Sequence, residues 1–557
     1  MIKARYSKDY PYLIAVIAAA IAWGLFVLGP RPFHIYDTGW LWGDLAQVYI
    51  AWAQYTRDTS ASWLISNHLS YPLSINFALF DPMPLLLLAF GWLSNFVPDH
   101  TQWFGPYFVI CLVLQGLFGY LAGRALLGQT SDKFARFFCL AISLFFILAP
   151  FTFYRFVQHT ALSSQWVIVF SIYVSLRSRN LDTRSWLLAN GSAILLASGM
   201  NPYLTVMVLI SQTGMTLFGD RSLLLKARAL RLACMALVAM TGLYTFGFTS
   251  AGGSIDWGYR VFSMNALGPF DSNGFATLFG LEIKDATGGQ AWEGFVYQGL
   301  GLLLLLLIAG LLFKRRTFSN IASPNLKGFY AGGLFVGGIS YALALSATLS
   351  VNTWVWPIPL HLVFELPLSV FRASGRFFWL GSFWLILLGA SVIYYKLGPR
   401  RASMLFSVLV GIQLIDVSGI GIYVRKKIET TNRYEIEKSS VPYDLSTFSH
   451  LIVVPPWQCD TRHGPGGGRN YENLGFFATL NKLQTNNFYA GRTPASQSKF
   501  HCDPNNHLKD LSDTSLYIFS DQMFQTIAPR YQQKLVCQTN QKYEFLMCVT
   551  KPTTIVN

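Results

Sequence analysis

Charge is scarce in this chain. Only 12% of its residues are Asp, Glu, Lys or Arg, about half the share of a soluble globular domain. That scarcity excludes a large soluble enzyme, and 52% hydrophobic residues with a mean hydropathy of +0.38 place the chain in a membrane. Acids are scarcer still, 27 against 42 bases. The excess of bases does not make a nucleic-acid binder, because they lie in short clusters between apolar runs, as cytoplasmic loops do under the positive-inside rule. There is no Walker, kinase, Ser-His-Asp or HExxH pattern and no CxxC or Cys/His spacing of a zinc site. No small-residue cleavage site follows the first apolar segment, which runs on as GPRPFHIYD, so a retained helix is expected. Internal repeats and low-complexity tracts are also missing.

What is present is a series of apolar runs. Spanning a bilayer takes roughly 20 apolar residues, and the expected spans are 12–29, 105–127, 137–152, 164–178, 186–200, 203–219, 229–249, 294–313, 328–349, 377–395 and 402–423. The short stretch 83–97, closed by Pro82 and Pro98, reads as a re-entrant or surface-lying helix. With eleven spans and a cytoplasmic N-terminus, the basic clusters fall inside, among them Lys133/Arg136 and Lys314/Arg315/Arg316. Arg425, Lys426 and Lys427 are the exception. The fold class expected is an α-helical polytopic membrane protein over residues 1–428, with a long first outer loop (30–104). A small soluble α/β domain follows over 429–557, on the extracytoplasmic side.

The seven cysteines divide. Cys111, Cys139 and Cys234 lie in apolar helices as small hydrophobes, while Cys459, Cys502, Cys537 and Cys548 lie in the polar tail. Four cysteines permit three connectivities. In an oxidising compartment the expected pairing is between neighbours, Cys459–Cys502 and Cys537–Cys548. The run HGPGGGR (463–469) lacks a strand-to-helix fingerprint and reads as a loop, not a phosphate cradle.

The first outer loop carries Asp37, Asp44 and Asp81 among aromatic and amide residues. Asp44 starts a helix-like run with Gln47 on the same face. Capping is the ordinary duty of such an Asp, but two acids bracketing one loop also supply what a general base and its partner need. Arg155 and His159 interrupt an apolar stretch at four-residue spacing, where polar groups are expensive. Arg372 and Arg376, in VFRASGRFFW, repeat that spacing and suit a phosphate or diphosphate; interface anchoring is the competing account. Glu293, at the mouth of a span, is a candidate for binding hydroxyls or for capping, and turn chemistry explains Asn201, before Pro202.

Taken together, the segments WGDLAQVYIAW, FDPMPLLLLAF, YRFVQHTALSSQW, NPYLTVM, WEGFVYQGLG and FRASGRFFW, with the cysteine-bearing tail, resemble the GT-C superfamily of polytopic glycosyltransferases. More narrowly, they resemble an uncharacterised bacterial membrane-protein family within or close to it. The resemblance implies a sugar donor carried on a polyprenyl phosphate and inverting transfer outside the cytoplasm, at a bacterial inner membrane. It places the catalytic acid of the first outer loop on Asp44 and the donor-phosphate arginines on Arg372 and Arg376; in the mechanism expected here, Asp81 and His159 assist the acid and Arg155 helps the arginines. Asp37, Gln47, Asn201 and Glu293 are expected to bind substrate. The acceptor is a glycan, protein or lipid. Asp44 stands outside any DxD or DE pair, which leaves open both a divalent ion on Asp44 and Asp81 and the choice of Asp44 over Asp37. A flippase or transporter of lipid-linked saccharides would instead put ionisable residues at the membrane midplane, and a non-catalytic envelope assembly protein would not gather them in one cavity.

Overall fold

A computed structural model of the chain describes residues 8–551 apart from 82, 93–95, 97, 129–131, 180, 220–222, 252–257, 314–323, 433–434, 460–469 and 541. The glycine-rich run 463–469 and the cluster Lys314/Arg315/Arg316 lie outside the described residues.

The principal helices are α1 (Tyr10–Leu28), α2 (Asp44–Arg57), α3 (Pro84–Trp92), α4 (Phe104–Leu127), α5 (Lys133–Ile147) and α6 (Trp166–Arg177). They continue as α7 (Thr183–Met200), α8 (Pro202–Gly214), α9 (Leu225–Thr245), α10 (Leu300–Leu312), α11 (Pro324–Leu345) and α12 (Phe378–Thr430). Each stretch expected to span overlaps one of these helices, although 294–313 becomes helical only at Leu300 and 137–152 leaves its helix at Ile147. The last two share α12, which Gly398 (φ 76°) and Pro399 divide by interrupting the helical backbone. Among the described residues, six helical segments are long and apolar enough to cross a membrane: 10–28, 104–127, 133–157, 225–245, 326–345 and 374–430. The chain is a multi-pass helical membrane protein. Among its described residues, the stretch 83–97 contains the nine-residue α3, too short to cross.

Helix α2 lies in the first loop, yet Leu45 to Tyr55 are all buried. One side packs against α3 and Trp103. The other faces the tail: Tyr49 stacks on Phe476 at 5.3 Å, and Gln54 Nε2 donates to the Leu483 carbonyl at 3.0 Å. Tyr71 stacks on His450 with ring centroids 3.9 Å apart.

The tail forms a five-stranded sheet of β1 (His450–Val454), β2 (Gln484–Thr485), β3 (Ser515–Phe519), β4 (Leu535–Asn540) and β5 (Phe545–Thr550) in the order β2-β1-β3-β5-β4. β1 runs parallel to β2 and β3, and β5 antiparallel to β3 and β4. Leu451, Val453, Leu516 and Ile518 bury one face with Leu474 and Phe477, while Ile452, Val454, Tyr517 and Phe519 bury the other with Leu508. That is why the central strands read as unbroken apolar runs. The disulfides are Cys459–Cys502 and Cys537–Cys548, the neighbour pairing.

The two bridges span 43 and 11 residues. On the chain-entropy account they stabilise by about 4 and about 3 kcal/mol respectively. Replacing Cys459 and Cys502 together by Ser is therefore expected to lower the tail's stability more than the same change at Cys537 and Cys548. Thermal unfolding of the solubilised protein measures the difference.

Candidate functional site

The site begins where Gly43 turns the chain into α2. Its φ of +57° with ψ −130° suits only glycine, and its N–H donates to Glu472 Oε1 of the tail at 2.6 Å. Asp44 is thereby the first helical residue and does not cap its own helix. Its Oδ2 instead meets His159 Nδ1 at 3.1 Å, and the other imidazole nitrogen, Nε2, lies 2.9 Å from Glu293 Oε1. Whichever ring nitrogen carries a proton donates it to a carboxylate.

Arg155 and His159 do not share a helix face. Tyr154–Val157 form a 3-10 turn, and Gln158 (φ −137°, ψ −87°) ends it. The break aims both side chains at Glu293. Arg155 Nη1 reaches Glu293 Oε2 at 3.2 Å, and its Nη2 donates to the Trp292 and Glu293 carbonyls at 2.8 and 3.1 Å. Arg376 approaches from the other side, with Nη2 2.6 Å and Nε 3.1 Å from Glu293 Oε2. Its 3-10 turn, Ser374–Phe377, can come this close because Gly375 lies against Gly294: a Cβ on Gly375 would sit 2.8 Å from the Gly294 Cα. The Arg376 guanidinium covers the Tyr203 ring at 4.9 Å. Burial would raise the Glu293 carboxyl, but Arg376, His159 and Arg155 outweigh it and hold Glu293 well below the usual carboxylate range.

Asp81 follows a short 3-10 turn in left-handed conformation (φ 56°) and accepts from Asn201 Nδ2 at 2.9 Å. Asn201 also caps α8 through Oδ1, which accepts from the Tyr203 N–H at 2.9 Å. Burial pushes the Asp81 carboxyl up to about 6; the Asp44 charge adds to this, while His159, Arg376 and the Asn201 hydrogen bond oppose it.

Several of these groups surround a cavity of about 540 Å³, within the range of small-molecule sites. Asp44, Gln47, Asp81, His159, Asn201, Arg372 and Arg376 line it. Gln47 Nε2 is buried with no hydrogen-bond partner among the described residues. Three other candidates lie elsewhere. Arg155 and Glu293 stand behind the wall, paired with each other, so neither touches the cavity as expected. Asp37 is held by Arg31 at 2.8 Å and accepts from the Gly39 N–H, away from the cavity; the same guanidinium binds the Ile428 and Thr431 carbonyls at the end of α12. Arg372 and Arg376 both line the cavity, although a bend and a 3-10 turn replace the helix face expected to carry them.

Tyr203, Tyr489 and Arg492 also line the cavity, and sequence reasoning passed over all three. Tyr203 lay inside the quoted NPYLTVM segment. Tyr489 and Arg492 belong to the tail, in a stretch without any motif; the Gly491 N–H between them donates to the Leu79 carbonyl at 2.8 Å and brings them in.

Fold and site together define a multi-pass helical membrane protein with an acid- and guanidinium-lined cavity closed by a small α/β domain. The chain belongs to the family described as "Domain of unknown function (DUF6311)", which matches residues 17–418, and the "DUF6311 C-terminal domain" matches residues 445–549. No curated protein matches by sequence. Among solved structures the chain is similar to the Archaeoglobus fulgidus oligosaccharyltransferase in its apo form, at 10% identity and a TM-score of 0.44, over 92% of this chain and 70% of that one. It is also similar to the same enzyme tethered through a disulfide to an acceptor peptide with an NVT sequon, at 11% identity and a TM-score of 0.45, over 98% and 75%.

Two outcomes follow. Glu293→Gln strands two buried guanidiniums and is expected to cost about 3–5 kcal/mol, read as a large loss of thermal stability in detergent. Asp81 acts in the opposite sense. Burial lifts its carboxyl from the ordinary 3.8 to about 6, so stability present below pH 4 is lost as pH rises through 6. Asp81→Asn is therefore expected to unfold at a higher temperature than the native protein at pH 8 and at the same temperature at pH 3. An equal shift at both pH values would contradict this.

Proposed function

We propose that this protein is a membrane glycosyltransferase that moves a sugar from a polyprenyl-phosphate donor to an acceptor hydroxyl, with inversion, outside the cytoplasm. The observation that carries the reading is the convergence of Asp44, His159, Asp81, Arg372 and Arg376 on one cavity at the ends of membrane helices. A flippase would need ionisable groups distributed along a transmembrane path, and an assembly protein would have no use for a carboxylate–imidazole–carboxylate chain. The basic clusters in the alternate loops and the disulfide-bonded tail support a periplasmic or other extracytoplasmic face for the cavity.

In this mechanism Asp44 is the general base. It takes the acceptor proton as the hydroxyl attacks the anomeric carbon, and the polyprenyl phosphate leaves from the opposite face of the sugar. His159, fixed between Asp44 and Glu293, orients the base. The developing charge on the phosphate is met by Arg372 and Arg376. Arg155 acts from behind by holding Glu293 in place. Gln47, Asn201 and Asp81 bind and orient hydroxyls. Asp44 and Asp81 are also the carboxylates a divalent ion would use, and such an ion would add Lewis acidity at the phosphate. Among the described residues no group of three or more His, Cys, Asp or Glu is arranged to hold a metal.

The decisive assay supplies purified protein in bilayers with polyprenyl-phosphate sugars and scores transfer. Asp44→Asn is expected to reduce turnover by at least a thousandfold while thermal unfolding stays native-like. Arg372→Ala is expected to raise KM for the donor more than it lowers kcat. Retained turnover in Asp44→Asn would remove Asp44 from the role of base.

A further inference from the structure

Between α11 and α12 lies a segment that the proposed chemistry does not use. Thr348–Val351 and Trp354–Pro357 form an antiparallel hairpin, and Leu362–Ser369 form a short helix. The first strand is pinned to the protein. Thr348 and Ser350 are buried, Gln290 Nε2 donates to Ser350 Oγ at 2.6 Å, and the Ala266 N–H donates to the Ser350 carbonyl at 2.8 Å. The second strand is exposed at all four positions. Trp354, 68% exposed, stacks on Trp356 at 6.0 Å, and Phe364 on the helix is 63% exposed, with Ile358, Val363 and Leu366 also turned outward. This face would be costly in water.

Charge is almost missing from the segment. Glu365 is its only carboxylate, and Arg260 holds it at 2.9 Å. Both ends are tied to helices apolar and long enough to cross a membrane, 326–345 before it and 374–430 after it, so the segment is tethered at the bilayer surface. Its far end runs directly into the cavity wall at Val370, Phe371 and Arg372. Tryptophan is the residue that settles at a lipid–water boundary.

We infer that the hairpin and helix of residues 348–369 dip into the leaflet on the cavity side and form the lipid-facing doorway through which an isoprenoid-carried substrate slides toward Arg372. The partner is the hydrocarbon of the bilayer and of the donor's tail. The inference deepens the transferase reading at the entry step, and its first test does not depend on activity. A nitroxide placed on Val355→Cys in the full chain, reconstituted in lipid nanodiscs, is probed by collision with oxygen and with a water-soluble nickel chelate. Lipid insertion gives high oxygen and low nickel accessibility. High nickel accessibility would place the hairpin in water, and low values for both would bury it against protein, such as a second copy of this chain; either result overturns the inference.

The second test uses Trp354→Asp/Trp356→Asp with two donors. KM for a full-length polyprenyl-phosphate sugar is expected to rise at least tenfold, while KM for a donor carrying only two isoprene units changes less than twofold. An equal change for both donors would sink the doorway. Wild-type protein that transfers from neither donor would overturn the transferase reading and the doorway's role in delivering donor, while the nitroxide result would still decide insertion.

Discussion

A carboxylate taken out of water must be matched by cations, and Glu293 is where this protein meets that requirement. Three basic side chains from two other parts of the chain close on it: Arg155 and His159 from the turn after α5, and Arg376 from the start of α12. Removing water makes each of these attractions strong and leaves no member dispensable. The pairing also dictates backbone. The loop carrying Glu293 must pass so close to the turn carrying Arg376 that glycine faces glycine at 294 and 375. Asp44 joins through His159, so the orientation of the candidate base is set by a buried charge network and not by its own helix.

The tail is fastened to the same network from outside. Glu472 accepts from the Gly43 N–H next to Asp44, and Phe476 stacks on Tyr49 one turn further along α2. A helix buried on every side cannot lie at a bilayer surface by itself, because its aromatic faces would be wet or would leave the loop unanchored. The α/β domain supplies the missing side. Tyr489 and Arg492 then reach the cavity as part of its roof, which makes the domain a contributor to the site as well as a cover.

The helices were legible because twenty apolar residues in a row have few other destinies. In the tail, the runs LIVV and SLYIF of β1 and β3 are legible as strands because buried parallel strands are apolar throughout, whereas the half-exposed β4 and two-residue β2 are not. The acids of the first loop stood out against their surroundings. Pairing was not legible. Arg155 and His159 at four-residue spacing look like neighbours on a helix, but the backbone breaks at Gln158, and what unites them is a glutamate 134 to 138 residues away. Asp37 is the weaker rival to Asp44 in the sequence, and the structure parts them: Asp37 pairs with Arg31, whereas Asp44 lines the cavity. The Tyr489–Arg492 stretch contains no motif, since its placement comes from a backbone hydrogen bond to Leu79 that any sequence could make.

Glu293 also sorts the arginines. Arg155 is fully buried, and its Nη groups contact Gln158, Trp292 and Glu293, so it can shape the site without meeting an incoming anion. Arg376 shares Glu293 and at the same time lines the cavity. A phosphate arriving there competes with a carboxylate already in place, and its gain is reduced by that competition. Arg372 and Arg492 line the same cavity, Arg372 hydrogen-bonded to Tyr489 and Arg492 donating to the Val370 carbonyl at 2.8 Å. On the transferase reading, the competition at Arg376 would favour binding firm enough to orient a donor yet weak enough to release the phosphate once its sugar has gone.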